Sequence, residues 1–582
     1  MVVITAKDIE NMNAHFLVEV LDRLAGIFTS MYSRDFGTVS FSQIQGSNER
    51  QVLVLLDGVP WNKLDDSAAE VNGIPLQIIN RIEIIKGPAS SAWGSSLGGV
   101  INILTKPAGE TEKPTSSISG SYGEGHRQDF RADTSGRAGS LWYYLYAGYQ
   151  EATALMDSRF FNNTNGYAKF TIPISTDTYA NFTFGTSQPD FGVGDAIKSD
   201  LKTDCLFRTN FVTASFDTKF TRNFNMNISL NQKRQKTWGT NYTLGLGTWS
   251  KSKELFLDQL SDTTLSQGKI KFSWEKGEHK VIFGIDLEQG IIDKTNTNGK
   301  YYQSIGQPEK VFAKSDYTEA AVYINDTINL DKFTITPGLR YNHHDIVGDF
   351  FAPSIGATYQ IGPDTLFRSL IARGFSNPSF AYTKLPGVNL QPNPDINPET
   401  IWSYQAGFET RACPYIWVKS DFFYHEIDDT LLRIRKTKTV RTWINQEDKN
   451  RRRGFEIEIE TDPFYNISLS LGASYVHYSP ISNYGSTDSY TYNLGLKYDD
   501  KKSLRAELFG HFIDWDYDPI NFTGGVKFAD IVIDFSIIKK IYSNNLFSSE
   551  LFGKVNNIFN GVQYRDYVNP ERWVEGGVRF KF

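Results

Sequence analysis

The chain has 582 residues, 14% of them aromatic, and a formal net charge of −6. That balance gives no general case for nucleic-acid binding, and the lack of any long uninterrupted apolar run excludes helical membrane spans. A mean hydropathy of −0.37 still permits a membrane protein made of strands, because a strand between lipid and a wet lumen needs only alternate residues apolar.

The opening residues, MVVITAKDIE, carry neither the basic segment nor the apolar run of a secretion signal. Residues 1–110 then read as a small α/β unit. Thr5 is placed to cap a short helix, and Leu17, Val20, Leu21 and Leu24 recur at helical spacing before Gly26. Apolar runs at 51–56 and 81–86 read as strands, closed by Asp57-Gly58-Val59-Pro60 and Gly87-Pro88.

Across 111–582 the period changes to two. Phe224, Met226, Ile228 and Leu230 alternate with polar residues, as do Val281, Phe283, Ile285 and Leu287, and Trp402, Tyr404, Ala406 and Phe408. About 22 such segments follow one another, which predicts a transmembrane antiparallel β-barrel with short periplasmic turns and long outer connections. The long connections are expected at 232–265, 289–317, 375–400 and 425–451. Cys413 then falls in a periplasmic turn and Cys205 in an outer loop, too far apart to form a disulfide. A soluble β-sandwich or propeller shares the alternation, but no repeat of propeller length is present, and the chain ends in an alternating strand closing on Phe582.

An ordered set of motifs resembles the TonB-dependent outer-membrane receptors over nearly the full length. In the first unit these are Ile44-Gln45-Gly46 with 52–60, then 81–88, Gly94 and 98–105. In the barrel they are 373–378, 397–400, Arg453-Gly454-Phe455-Glu456, 556–559 and Phe582. The resemblance makes residues 1–110 a plug inside the lumen and 111–582 the barrel. It implies a monomeric importer of a small-molecule metal chelate that performs no bond chemistry and has no resident cofactor. A ferric siderophore leads, with cobalamin next and haem third; a passive or structural barrel is the alternative class. It implies TonB as partner through a segment expected before residue 1, and contact with outer-membrane lipid and lipopolysaccharide. The family commonly carries arginine where Gln45 stands, so that contact must here be neutral or absent.

Ligand contacts are expected from the outward tips of the plug: Tyr32, Arg34, Trp61, Asn62, Lys63, Ser91 and Trp93. Trp61 and Trp93 can alternatively pack on the barrel wall. Glu456, Glu458 and Glu460 alternate with apolar residues and should point into the lumen, where Arg81 and Lys86 are candidate plug partners. His343-His344-Asp345 and the acidic residues Asp190, Asp195, Asp200 and Asp204 are candidate metal ligands, the latter for a structural Ca2+, each set against a plain solvated loop. Arg433, Arg435, Lys436, Lys438 and Arg441, with 451–453, form a basic cluster for which lipopolysaccharide phosphates are the favoured partner and an anionic chelate the alternative.

Overall fold

In a computed structural model, described for residues 1–582 other than 32–34, 154–157, 389, 438–439, 481–486, 516–526, 529, 562 and 565–570, strands of the second region close into one antiparallel barrel of 22 strands. The last strand, Trp573–Lys581, pairs with the first, Thr115–Gly123, with Phe580 opposite Ile118. Closure leaves no unpaired edge, which a sheet in lipid requires.

The alternation sorts side chains as expected. In Glu399–Thr410, Trp402, Tyr404 and Phe408 face outward while Ser403 is fully buried inside. In Asn450–Thr461, Phe455 is exposed and Glu456 is buried.

Four connections expected to be long turn out to have different sizes. Strands Phe224–Thr243 and Leu255–Lys276 continue far into 232–265 and leave only 244–254 between them. Likewise His279–Asn298 and Lys310–Leu330 leave only 299–309. Seven consecutive strands between 159 and 330 run from 17 to 22 residues, although about 9–11 suffice to cross the hydrocarbon. Above the membrane both faces of a strand meet water, so the apolar period fades while the backbone ladder continues. This stretch of wall therefore stands taller than the rest.

The first region fills the lumen. Its sheet has the order Val2–Thr5, Ile79–Lys86, Gly99–Thr105, Val52–Leu56, Val59–Pro60. Helix Ala6–Met12 is capped by Thr5, whose hydroxyl and backbone engage Asp8, and Leu17–Leu21 packs beside the sheet. Leu17, Leu21, Val54, Ile82 and Ile101 share one apolar cluster with barrel residues Tyr144, Tyr146, Tyr167 and Phe211, so plug and wall have a common core.

Two plug glycines show how close the wall comes. Gly26 (φ +69°) and Gly87 (φ +77°) lie in the left-handed region, and a Cβ on them would overlap the side chains of Glu456 and Gln405 respectively.

Cys205 lies near the outer end of strand Leu201–Thr221, and Cys413 lies in the exposed periplasmic turn after Thr410; both are free thiols.

Candidate solute-binding site and plug–barrel contacts

Between the plug sheet and the tall wall lies a cavity of about 1560 Å³. Its outer end is covered by residues 377–385 of the connection after Ser376, which contain the short helix Phe380–Thr383 and form a strap across it. Phe380 and Leu385 pack with Leu64 of the plug and Ile292, Ala313 and Tyr317 of the wall, and the Ala381 N–H donates to Asp65 O at 2.9 Å.

The expected ligand contacts divide. Tyr32 and Arg34 lie outside the described residues. Trp61 is buried; its indole N–H donates to Glu70 O at 2.8 Å and its ring meets Phe211 edge-on at 6.1 Å. It is therefore a packing residue and not an open platform, because the turn that carries it folds back under the strap. Asn62 spends its amide on the backbone, accepting from Val54 N and donating to Val52 O and Ser67 O. Lys63 pairs with Asp66 at 2.6 Å, and Ser91 shares a hydrogen bond with Ser354 of the barrel at 2.8 Å. Asn62, Lys63 and the half-buried Trp93 do border the cavity, along with plug residues Asp57 and Asn102.

The plug is fastened mainly to the opposite wall. Lys86 Nζ lies 2.5 Å from Glu456 and 3.6 Å from Glu458, and also donates to Ala25 O. Burial opposes its charge, but the two carboxylates outweigh that and raise its pKa. Arg81 does otherwise: it pairs with Glu83 two residues along its own strand, on the same face, and its side chain is 45% exposed. Glu460 sits near the periplasmic end of its strand, exposed, with no ion pair among the described residues. Gln45 is buried and forms a neutral hydrogen bond with His425 at 3.2 Å.

Further pairs join residues that sequence reasoning had no means to match. His15 bridges Asp129 (2.6 Å) and Glu575 (2.7 Å), Arg23 meets Glu507 (2.5 Å), Arg50 meets Glu399 (2.7 Å), and Glu19 pairs with Lys554. Burial alone would lower the His15 pKa, but Glu575 and Asp129 raise it to about 9; burial would raise that of Glu19, but Lys554 and His15 bring it to about 2. The available signal was charge at inward positions, as at Glu507 and Glu575. Pairing them across 484 and 560 residues needs the closed barrel.

The metal candidates are separated by strand geometry. His343 and His344 are neighbours in Phe333–His344, so their rings point to opposite faces: His343 is exposed and bonded to Asp349, while His344 stacks on Tyr317 at 4.7 Å. They cannot share an ion. Asp200 accepts backbone N–H groups of Leu246 and Thr248, shaping the neighbouring loop. Asp190 and Asp195 lie in strand Thr178–Ala196, where Asp190 faces Leu206 and Asp195 faces Lys202 across the ladder. Among the described residues no group of three His, Cys, Asp or Glu forms a metal site.

The basic cluster forms a hairpin over the mouth, Leu431–Arg435 paired with Arg441–Asn445. Arg435 stands opposite Arg441, and Arg433 opposite Trp443, whose ring lies 4.5 Å from Tyr382 of the strap. None of these three arginines has a carboxylate partner among the described residues. Lys436 donates to Gln391, Arg451 pairs with Glu426, and Arg452 donates to Gln51 of the plug; Lys438 lies outside the described residues.

Comparison with known proteins agrees with this architecture. A family model described as the TonB-dependent receptor plug domain matches residues 1–100, and one described as TonB dependent receptor-like, beta-barrel, matches residues 121–558. The vitamin B12 transporter of Vibrio vulnificus is 24% identical over 470 residues, covering 76% of this chain and 72% of that protein. The ferrienterobactin receptor of Escherichia coli is 22% identical over 487 residues, covering 65% and 62%. The solved ferric enterobactin receptor of Pseudomonas aeruginosa superposes with a TM-score of 0.79 at 16% identity, covering all of this chain and 98% of that one. With a 22-strand lipid-facing barrel stoppered by its own first hundred residues, and family models matching both parts in order, the chain belongs to the TonB-dependent receptors of the outer membrane, a family of transporters and not of enzymes.

Proposed function

We propose that this TonB-dependent transporter imports a ferric siderophore carrying net negative charge. The observation that carries this reading is the arginine hairpin over the mouth. Arg435 and Arg441 are direct cross-strand neighbours, an arrangement that costs free energy unless an anion offsets it. Arg433 adds a third guanidinium on the same face, beside the aromatic pair Trp443 and Tyr382. Planar donors next to aromatic rings suit a flat, oxygen-rich, anionic ligand. The direction of the hairpin favours a solute over lipopolysaccharide, because Trp443 touches Tyr382, and the Arg50 guanidinium of the plug lies 6.0 Å from the same ring.

Cobalamin is the second reading, favoured by the vitamin B12 transporters among the relatives. Haem has less support: His425, just before the hairpin, is buried and bonded to Gln45.

In the transport step, solute held under the hairpin must pass the strap and then the plug. Force transmitted by TonB would reach the plug through its leading strand. Val2–Thr5 lies antiparallel to Ile79–Lys86, with Val2 opposite Ile84, two residues from the lysine that grips Glu456.

Binding of ferric enterobactin and of cyanocobalamin to the purified protein in detergent tests the reading. The siderophore is expected to bind at micromolar concentration or tighter, and R433A/R441A to weaken it at least tenfold and make it less salt-sensitive. Tight cyanocobalamin binding unaffected by that change would transfer the assignment to cobalamin.

A further inference from the structure

We propose that the outer end of the cavity is built to hold one Ca2+ ion between Glu288 and Glu319 of the barrel wall. The proposal goes beyond the transport reading and is independent of which solute is carried.

The first observation is a register. Gln267, Glu288, Glu319 and His344 are successive Cα partners across four neighbouring strands, so they form one inward row, and all four line the cavity beneath the strap. Two half-buried carboxylates thus stand directly opposite each other. Like charges so placed repel, and a cation between them turns that repulsion into chelation.

The second observation is what the carboxylates touch. Glu288 accepts from the Gln267 amide and the Tyr317 hydroxyl, and Glu319 accepts from the Asn342 amide and from Asn377 Nδ2 at 3.0 Å. These donors are all neutral, and neither carboxylate has an ion pair among the described residues. The cations of the neighbouring layers are engaged elsewhere: Arg340 with Asp286 (2.7 Å), Lys269 with Gly58 O (3.0 Å) and Lys233 with Asn62 O (2.8 Å). Each glutamate keeps lone pairs free for an ion.

The third is an unused ligand atom. Gln267 is only 7% exposed, and with its Nε2 given to Glu288 its Oε1 has no hydrogen-bond partner. A buried amide oxygen left unpaired beside two carboxylates is placed as a cation ligand. His344 is held apart: its Nδ1 accepts from Ile346 N, its ring stacks on Tyr317, and among the described residues it forms no metal-binding trio with the two glutamates. Carboxylate, amide and phenol oxygens, completed by water from the cavity, suit Ca2+, which takes about 6–8 oxygen ligands in flexible geometry, better than Mg2+. The ion also ties wall to strap, since Asn377 bonds Glu319 and the Tyr317 ring packs 5.5 Å from that of Phe380.

The test uses the ion alone, so it stands or falls separately from the siderophore assignment. Purified full-length protein in detergent, stripped with EDTA, is titrated with CaCl2 by calorimetry, and its melting temperature is read with and without calcium. One ion is expected to bind at this site with a dissociation constant on the order of 10⁻⁴ M and to raise the melting temperature. E288Q/E319Q should abolish both effects, and Q267L should weaken binding roughly tenfold. D217N, which alters a carboxylate near the periplasmic end of the same cavity, should change neither. With both glutamates intact, Tb3+ in place of Ca2+ should give tyrosine-sensitised luminescence that Y317F lowers at least twofold. A parent that binds no calcium, binding and stabilisation that survive E288Q/E319Q, or luminescence indifferent to Y317F would each overturn the proposal.

Discussion

His15 shows how single residues set the conditions under which the plug stays seated. Its imidazole sits between two carboxylates on different strands, and its pKa in place is about 9 against an ordinary 6.5. A raised pKa means the contact stabilises docking fully below about pH 6.5 and loses that contribution as pH climbs through 9. Glu19 runs the other way: lowered from 4.5 to about 2, it stabilises above 4.5 and fails as pH falls through 2. Plug docking, followed as the urea concentration at which a protease first clips residues 1–110, should therefore peak between about pH 5 and 6.5. Replacing His15 by Gln should flatten the alkaline limb and leave the acid limb; an unchanged alkaline limb would refute the assignment. None of this is readable from His15 in the sequence, where it is one histidine after a helix.

At the scale of elements, alternation located the membrane-crossing strands because lipid on one face and water on the other impose a period of two. It lost the outer parts of the strands between 159 and 330, where the selective pressure for that period ends. It also missed that residues 377–385 are folded inward, since a strap held by Phe380 and Leu385 has no periodic signature. The leading strand carries the element-scale prediction. Val3 and Glu83 are Cα partners in adjacent strands, so a V3C/E83C disulfide would fix the strand to its neighbour. If force enters there, uptake by cells should fall at least tenfold under oxidising conditions and recover on reduction, while solute binding stays constant. Uptake that is insensitive to the disulfide would mean that force enters the plug elsewhere.

For the whole molecule, orientation follows from which strand ends carry the short turns and which the long connections. In a Cys205→Ala background, Cys413, exposed in a periplasmic turn, should resist a membrane-impermeant maleimide in intact cells and react once the outer membrane is permeabilised. Labelling in intact cells would invert the barrel. What the sequence determined by itself was everything local or periodic: the two regions, the strand number, the lipid-facing set, and Lys86 and the inward glutamates as separate charged positions. Only the tertiary structure decided which charges meet, that Arg81 turns to Glu83 and Lys86 to Glu456, that adjacent histidines diverge, and that a hollow lies between the plug and the tall wall. Alternation is enforced residue by residue by the surrounding solvent. Partnership between positions hundreds of residues apart is enforced only when the barrel closes and brings them to one height on facing surfaces.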